Sequence, residues 1–351
     1  MLQYRNNFLF PLLMLMLVIV ILASISFGAV SISIHDMQLA LNHWFSGKKP
    51  GSIYESVFLQ IRLPRVLLCA VTGAVLSVSG VLMQGLFRNP IVEPGLVGTS
   101  AGAAFGASFV FVFASWFGAE IQTVVGPLLV PLFAFLGALV ATFTVYQLSK
   151  FNTRVSLTSL LLVGVAINAV ALSGTGFMTY LARDPQARSI SFWNLGTFAG
   201  ADWFQFQIVF IVTAVVIFIT LAESKKLNAF ILGEEEAGYL GIDTKSFKKK
   251  ILIINTAMVA IATSFVGVIA FMGLIVPHVM RLLVGSDHRK LIPASIFGGA
   301  ILLLLADMGA RLLLAPAEIP IGIITSLVGA PVYIFLLKRN QFIEKAGGLH
   351  D

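Results

Sequence analysis

Cysteine is nearly absent. Cys69 is the only one in 351 residues, so no internal disulfide can staple the fold and no cysteine cage can hold a metal. Charge is scarce as well. Charged residues make up 11% of the chain against 58% hydrophobic residues, a balance that excludes an ordinary water-soluble domain. The residue-by-residue alternation that a membrane β-barrel needs is not visible. No G-x-x-x-x-G-K-[ST] loop occurs, which removes P-loop binding of ATP by this chain. Histidines are few, and none stands at ligand spacing from another His, Cys or carboxylate, so no metal site is expected. No nucleophile–base set stands out, and the chain is not read as an enzyme.

What is present is a succession of apolar runs about 20 residues long, the length a helix needs to cross a bilayer while satisfying its own backbone. Mean hydropathy is +0.95. The fold class expected is therefore an all-α integral membrane protein, one domain over residues 1–351. Ten spans are predicted near 8–30, 63–86, 95–115, 124–148, 155–182, 204–222, 251–268, 272–284, 292–314 and 321–338. The first run exceeds a signal-peptide core and no small-x-small site follows it, so it is read as a spanning helix. Ten crossings put both termini on one side. The excess of lysine and arginine also falls there, which predicts that this side is the cytoplasm. The net charge of +7 is explained as topogenic charge rather than as a nucleic-acid footprint. The span at 272–284 is short and contains Pro277, so a broken helix is expected there.

One charged island interrupts the apolar chain, ESKKLNAFILGEEEAGYLGIDTKSFKKK at Glu223–Lys250. Its mix of apolar and acidic residues predicts one or two short amphipathic helices broken at Gly233, Gly238 and Gly241. A membrane protein with so little water-facing mass has a use for such a loop, and docking to another protein is the use expected. Arg88-Asn89-Pro90-Ile91-Val92-Glu93-Pro94-Gly95 predicts a sharp structural turn on the same side. Gly98, Gly102 and Gly106, four apart, predict a flat helix stripe for close packing.

On the opposite side, Arg62 and Arg65 flank Leu-Pro at the mouth of the second span, and Arg311 lies near the end of the ninth. Arginines collected at such a mouth either snorkel or form a socket for a partner's carboxylates. Asp307 and Arg311 share a helix face, which predicts a structural pair; a proton relay through Asp307 is the alternative. The segment Ala182–Trp203 is read as a loop. Its Arg183, Arg188 and Trp193 suit a belt at the membrane interface or the entrance for a flat anionic ligand.

Together these residues resemble the permease family of ABC importers for iron-siderophores, haem and cobalamin. The resemblance rests on RLPR at Arg62–Arg65, GAVLSVSGVLMQGLFRNPIVEPGLVGTSAGAAFGA from Gly73, and EEEAGYLGI within the island. It extends through FMGLIVPHVMRLLVGSDHRKLIPAS from Phe271 and LLADMGARLLLAPAEIPIGIITSLVGAPVYIFLL from Leu304. The resemblance implies a homodimer in a bacterial inner membrane, ten helices per subunit, two ATPase subunits carrying ATP and Mg, and a periplasmic binding protein. It makes Glu234, Glu235, Glu236, Ala237, Gly238, Tyr239, Leu240, Gly241 and Ile242 the ATPase-docking loop. It makes Arg62, Arg65 and Arg311 the residues that receive the binding protein. Arg88, Asn89, Pro90, Glu93, Pro94 and Gly95 become a family turn. The stretch through Ala166-Ile167-Asn168, Asp184–Arg188 and Phe192-Trp193 is similar to haem-type members, although Gly196-Thr197-Phe198 departs from their Gly-Ser-Leu. Haem is the cargo this implies, with a ferric siderophore or cobalamin as alternatives. An ion-coupled secondary transporter using Asp307 is a separate reading.

Overall fold

The computed structural model describes residues 2–28, 30–116, 118–151 and 154–347. The chain is almost entirely helical. Helix α1 covers Leu2–Ser26, followed by a surface helix α2 (Ile34–Phe45). Then α3 (Ile53–Val57) passes through a wide turn at Phe58–Arg62 into α4 (Leu63–Phe87), making one rod of 35 residues. Next come α5 (Thr99–Phe113), α6 (Ala119–Leu148), α7 (Leu157–Leu181), α8 (Asp184–Asn194) and α9 (Trp203–Ala222). The island folds as α10 (Ser224–Leu232) and α11 (Glu234–Tyr239). The last four are α12 (Thr244–Val266), α13 (Met272–Val284), α14 (His288–Leu312) and α15 (Ile321–Gly347). Lys150–Phe151 and Arg154–Val155 form a two-residue antiparallel ladder between α6 and α7.

Among the described residues, eight helices are long and apolar enough to cross a membrane, and Met272–Val284 and Ile321–Phe335 are shorter apolar helices. These ten helices overlap the ten expected spans, eight of them at full crossing length. Burial separates them. Most of the apolar window of the α4 rod, 83%, is covered by the rest of the chain, against 17% for α1 and α7. Helix α4 is thus the hub, and the outer helices keep large apolar faces for lipid.

The hub packs by backbone contact. A Cβ placed on Gly73 would lie 2.2 Å from the Gly299 carbonyl oxygen, and one on Gly80 would lie 1.8 Å from that of Gly273. Only glycine permits these crossings of α4 with α14 and α13. Gly102 and Gly106 do the same for α5 against Gly137 and Phe133 of α6, as the four-residue stripe predicts. Buried polar groups add directional ties. Ser77 donates to the Ser295 carbonyl, Ser79 to Asn255, and Gln84 to the carbonyls of Gly273 and Leu274.

Helix α13 is not broken at Pro277, which sits inside a continuous helix. The break comes before it, at Gly267–Phe271. Phe271 holds a left-handed φ of 67°, a strained state for a side chain of that size. Glu93 accepts the Phe271 N–H at 3.3 Å and so ties the break to the turn after α4.

Candidate functional site

Two clusters of charge stand at opposite ends of α4. At its first end, Asp307 lies between two arginines. Its Oδ1 accepts from Arg65 Nη2 at 2.8 Å and Nε at 3.2 Å, and its Oδ2 accepts from Arg311 Nε at 2.9 Å. Arg65 also donates to both oxygens of Glu318 at 2.8 and 2.9 Å. Arg311 reaches the carbonyls of Ser24 and Phe27 and the Ser24 hydroxyl. Arg62 donates to the carbonyls of Phe27 and Val30. Those carbonyls belong to the end of α1 and the segment after it, where the last helical acceptors need donors. The arginines therefore fasten α1 to α4 and α14.

The structure brings Arg62, Arg65 and Arg311 together, as expected of a socket, but it buries them. Each is 7% exposed or less, and the side chain of Glu318, at 39%, is the accessible member of the group. An open socket of guanidiniums is thus not what this face presents. The reason is local stoichiometry: Asp307 and Glu318 already supply the carboxylates. Both oxygens of Asp307 are engaged by arginine, which favours the structural pair over a proton relay.

At the other end of α4 the island behaves differently. Helix α10 buries Leu227 and Phe230 against the hub, with the Phe230 ring tilted against that of Phe247 of α12 at 5.4 Å. Asn228 donates to Asp287 at 2.7 Å and accepts the His288 N–H at 2.9 Å, which joins α10 to the start of α14. Hydrogen bonds from Arg289 hold the Asp287 carboxyl well below the usual range. Lys248 bridges the Val155 carbonyl and Glu234. Glu223 receives Lys250 and Lys226. Burial raises its pKa, but hydrogen bonds from the two lysines outweigh that and leave it below its ordinary value.

On this fixed base, α11 faces outward. Ala237 is buried and Ile242 half-buried, while Glu235, Glu236, Gly238, Tyr239, Leu240 and Gly241 are exposed. Tyr239 is 88% and Leu240 64% exposed. The helix breaks fall at Gly233 and Gly241; Gly238, predicted as a third break, lies inside α11. Gly241 takes a φ of 83°, the left-handed turn that redirects the chain into α12.

The turn at Arg88–Gly95 continues from α4 beside this base. Arg88 caps α4 in the left-handed conformation, and the Asn89 side chain accepts the Ile91 N–H at 3.0 Å. Arg88 and Pro90 are exposed, whereas Pro94 is buried and its carbonyl accepts from Asn255. The Gly95 carbonyl accepts from Asn168 of α7. Burial pushes the Glu93 carboxyl above its usual range, against the opposing Phe271 N–H.

The third group needs correction. Ala182–Trp203, expected as a loop, contains α8. Arg183 and Arg188 are exposed there, but Trp193 is 8% exposed and packs with Ala103, Ala104, Ala107, Ala134, Ala138 and Ala260. Small residues on α5, α6 and α12 leave the room its ring fills, so Trp193 is core and not an entrance residue. Among the described residues no group of three or more His, Cys, Asp or Glu side chains could hold a metal ion.

Comparison with known proteins agrees with this architecture. The model of the FecCD transport family matches residues 16–339. The hemin transport system permease protein HmuU of Yersinia pestis is 38% identical over 325 residues, covering 91% of this chain and 92% of that one. The cobalamin import system permease protein BtuC of Halobacterium salinarum is 40% identical over 281 residues, covering 80% and 73%. The iron(3+)-hydroxamate import system permease protein FhuB of Bacillus subtilis is 37% identical over 319 residues, covering 91% and 79%. A solved metal-chelate type ABC transporter in an inward-facing conformation superposes with a TM-score of 0.82 at 31% identity, covering 94% of this chain and 98% of that one. By sequence, fold and span pattern, the chain belongs to the FecCD transport family and is a multi-pass membrane permease of the ABC importer type.

Proposed function

We propose that this chain is the permease subunit of an ATP-driven importer that carries haem from a periplasmic binding protein to the cytoplasm. The observation that carries the reading is the island: a rigidly anchored base presenting Tyr239 and Leu240 to water, in a chain without a P-loop. Two ATPase subunits, holding ATP and Mg, would dock on Glu234–Ile242 of a permease homodimer. Their closure would push on α10, and the Asn228 and Lys248 ties would pass the displacement to α14 and α12. In this reading the island side is cytoplasmic, both termini lie there, and the membrane is the bacterial inner membrane. The binding protein would meet the opposite face, where Arg62, Arg65 and Arg311 can receive its carboxylates only if one takes the place of Glu318 on Arg65. Arg183 and Arg188 would stand at the cargo entrance.

Haem is favoured because the hemin permease aligns over nearly the whole of both chains. The cobalamin permease, at 40% identity over a shorter stretch, supports the second reading, a corrinoid cargo on the same machinery. The test is uptake into proteoliposomes holding this chain with its ATPase and binding protein. ATP-dependent haem accumulation, outcompeting cobalamin and a hydroxamate chelate, is expected. Accumulation of cobalamin instead would overturn the cargo. Uptake driven by a proton gradient without the ATPase would overturn the importer reading in favour of ion coupling through Asp307.

A further inference from the structure

We propose that α2 and the turn after it form a membrane-surface anchor, lying in the headgroup layer at the Arg62 end of α4 and holding anionic phospholipid through Lys48 and Lys49. Helix α2 is fixed at its start by a capping box between Ser33 and Asp36. It buries Met37 and Ala40 but exposes Ile34, Trp44 and Phe45, the last at 85%. The turn that follows carries exposed Lys48 and Lys49. The next helix begins with Ile53, 75% exposed, and Tyr54, also exposed. His43 Nδ1 lies 2.7 Å from Glu55, which also accepts the Gly51 N–H, so the two ends of the turn are tied together. An exposed apolar patch that runs through both helices needs something to cover it.

Two observations identify the cover as lipid. The patch is continuous with the bilayer wall. The Trp44 ring lies 5.5 Å from Trp203 at the start of α9, and Phe206 and Phe210 continue the series at 5.8 and 5.5 Å. Phe204 and Phe210 are half-exposed on that spanning helix, and Ile53 leads to exposed Ile61 on the α4 rod. The charge also fits. Aromatic rings at headgroup level with lysines beside them satisfy both the apolar boundary and the phosphates. A protein partner would not require that the aromatic series descend along a membrane span. The inference needs only that α4 and α9 span the bilayer and is independent of cargo and of the ATPase.

The test uses the full chain in nanodiscs of phosphatidylcholine with or without phosphatidylglycerol. Single spin labels are placed by Phe45→Cys and Ile53→Cys, Cys69 being buried. Phe218→Cys on α9 marks lipid and Tyr239→Cys marks water. Labels at 45 and 53 are expected to collide with oxygen rather than with a water-soluble nickel chelate, at a depth of about 5–10 Å. Lys48→Glu with Lys49→Glu is expected to raise nickel access at position 45 by about fivefold or more in phosphatidylglycerol discs, and little in pure phosphatidylcholine. Nickel access at 45 and 53 equal to that at 239 would overturn the anchor. So would shielding from both reagents, which would mean a protein cover such as a second copy. The same response to charge reversal in both lipids would overturn the anionic-lipid assignment.

Discussion

The two ends of α4 carry the same kinds of side chain and use them in opposite ways. At the Arg62 end, three arginines and Asp307 turn inward, and the arginine donors go to Asp307, the half-exposed Glu318 and the carbonyls that end α1. At the island end, the ion pairs of Glu223, Glu234 and Asp287 lie in the base, and the tip presents Tyr239 and Leu240 to water. Opposite charges that find each other within the fold make a fastening. The tip proposed to dock keeps apolar groups exposed on a base whose own ion pairs hold its shape.

The sharpest way to break this contrast is at Asp307. Asp307→Ala leaves Arg65 and Arg311 buried without the carboxylate between them, and a loss of about 3–5 kcal/mol is expected. It is read as a fall in the thermal midpoint of purified protein; an unchanged midpoint would mean the cluster is not a fastening. Next is Arg62→Ala, which frees the Val30 carbonyl beyond α1 and leaves that of Phe27 to Arg311 alone. A loss of about 1.5–3 kcal/mol is expected, with faster hydrogen exchange at the end of α1. Glu318→Gln should cost about 1 kcal/mol or less, because that carboxylate is partly in water. If Glu318 screens Arg65 from the binding protein, the same change should tighten capture of that protein in a pull-down.

The smallest expected effect concerns pH at the island base. The folded pKa of Glu223 lies below its ordinary 4.5, so its contribution is present above that value and is lost as pH falls through the folded pKa. Exchange of α10 amides should therefore quicken only on acidification, and Glu223→Gln should remove the Glu223 share of that dependence, leaving the part that comes from Asp287 at lower pH. A base that loosened on raising the pH would contradict the assigned pairing.

Sequence made some of this legible because it was local. The spans follow from apolar length, the Asp307–Arg311 pair from four-residue spacing, and the α5–α6 contact from glycines recurring every four residues. Gly233 and Gly241 ended helices as expected, since the chain changes direction there, while Gly238 stayed helical because its neighbours carried the turn. What was not legible came from distance along the chain. Arg65 meets Asp307 across 242 positions, and no local signal says that Glu318 completes the set. That same pairing turned an expected socket into a buried cluster. Trp193 looked like an interface aromatic because sequence shows a ring near arginines. It does not show the alanines on α5, α6 and α12 that make room for it. Pro277 looked like the break in α13, yet the chain tolerates it near the helix start, and the irregularity falls on Phe271, tied to Glu93 across the fold.

Docking on the island is decided by the affinity of the ATPase subunit for this chain in nanodiscs, wild type against Tyr239→Glu with Leu240→Glu. Both side chains are exposed, so the thermal midpoint should barely move, a change within about 0.5 kcal/mol. Affinity should fall by roughly tenfold or more, as expected when two apolar contacts at the centre of an interface are replaced by charge. Undiminished binding with an intact fold would contradict the account, and the island would then be a solvated loop with no docking role.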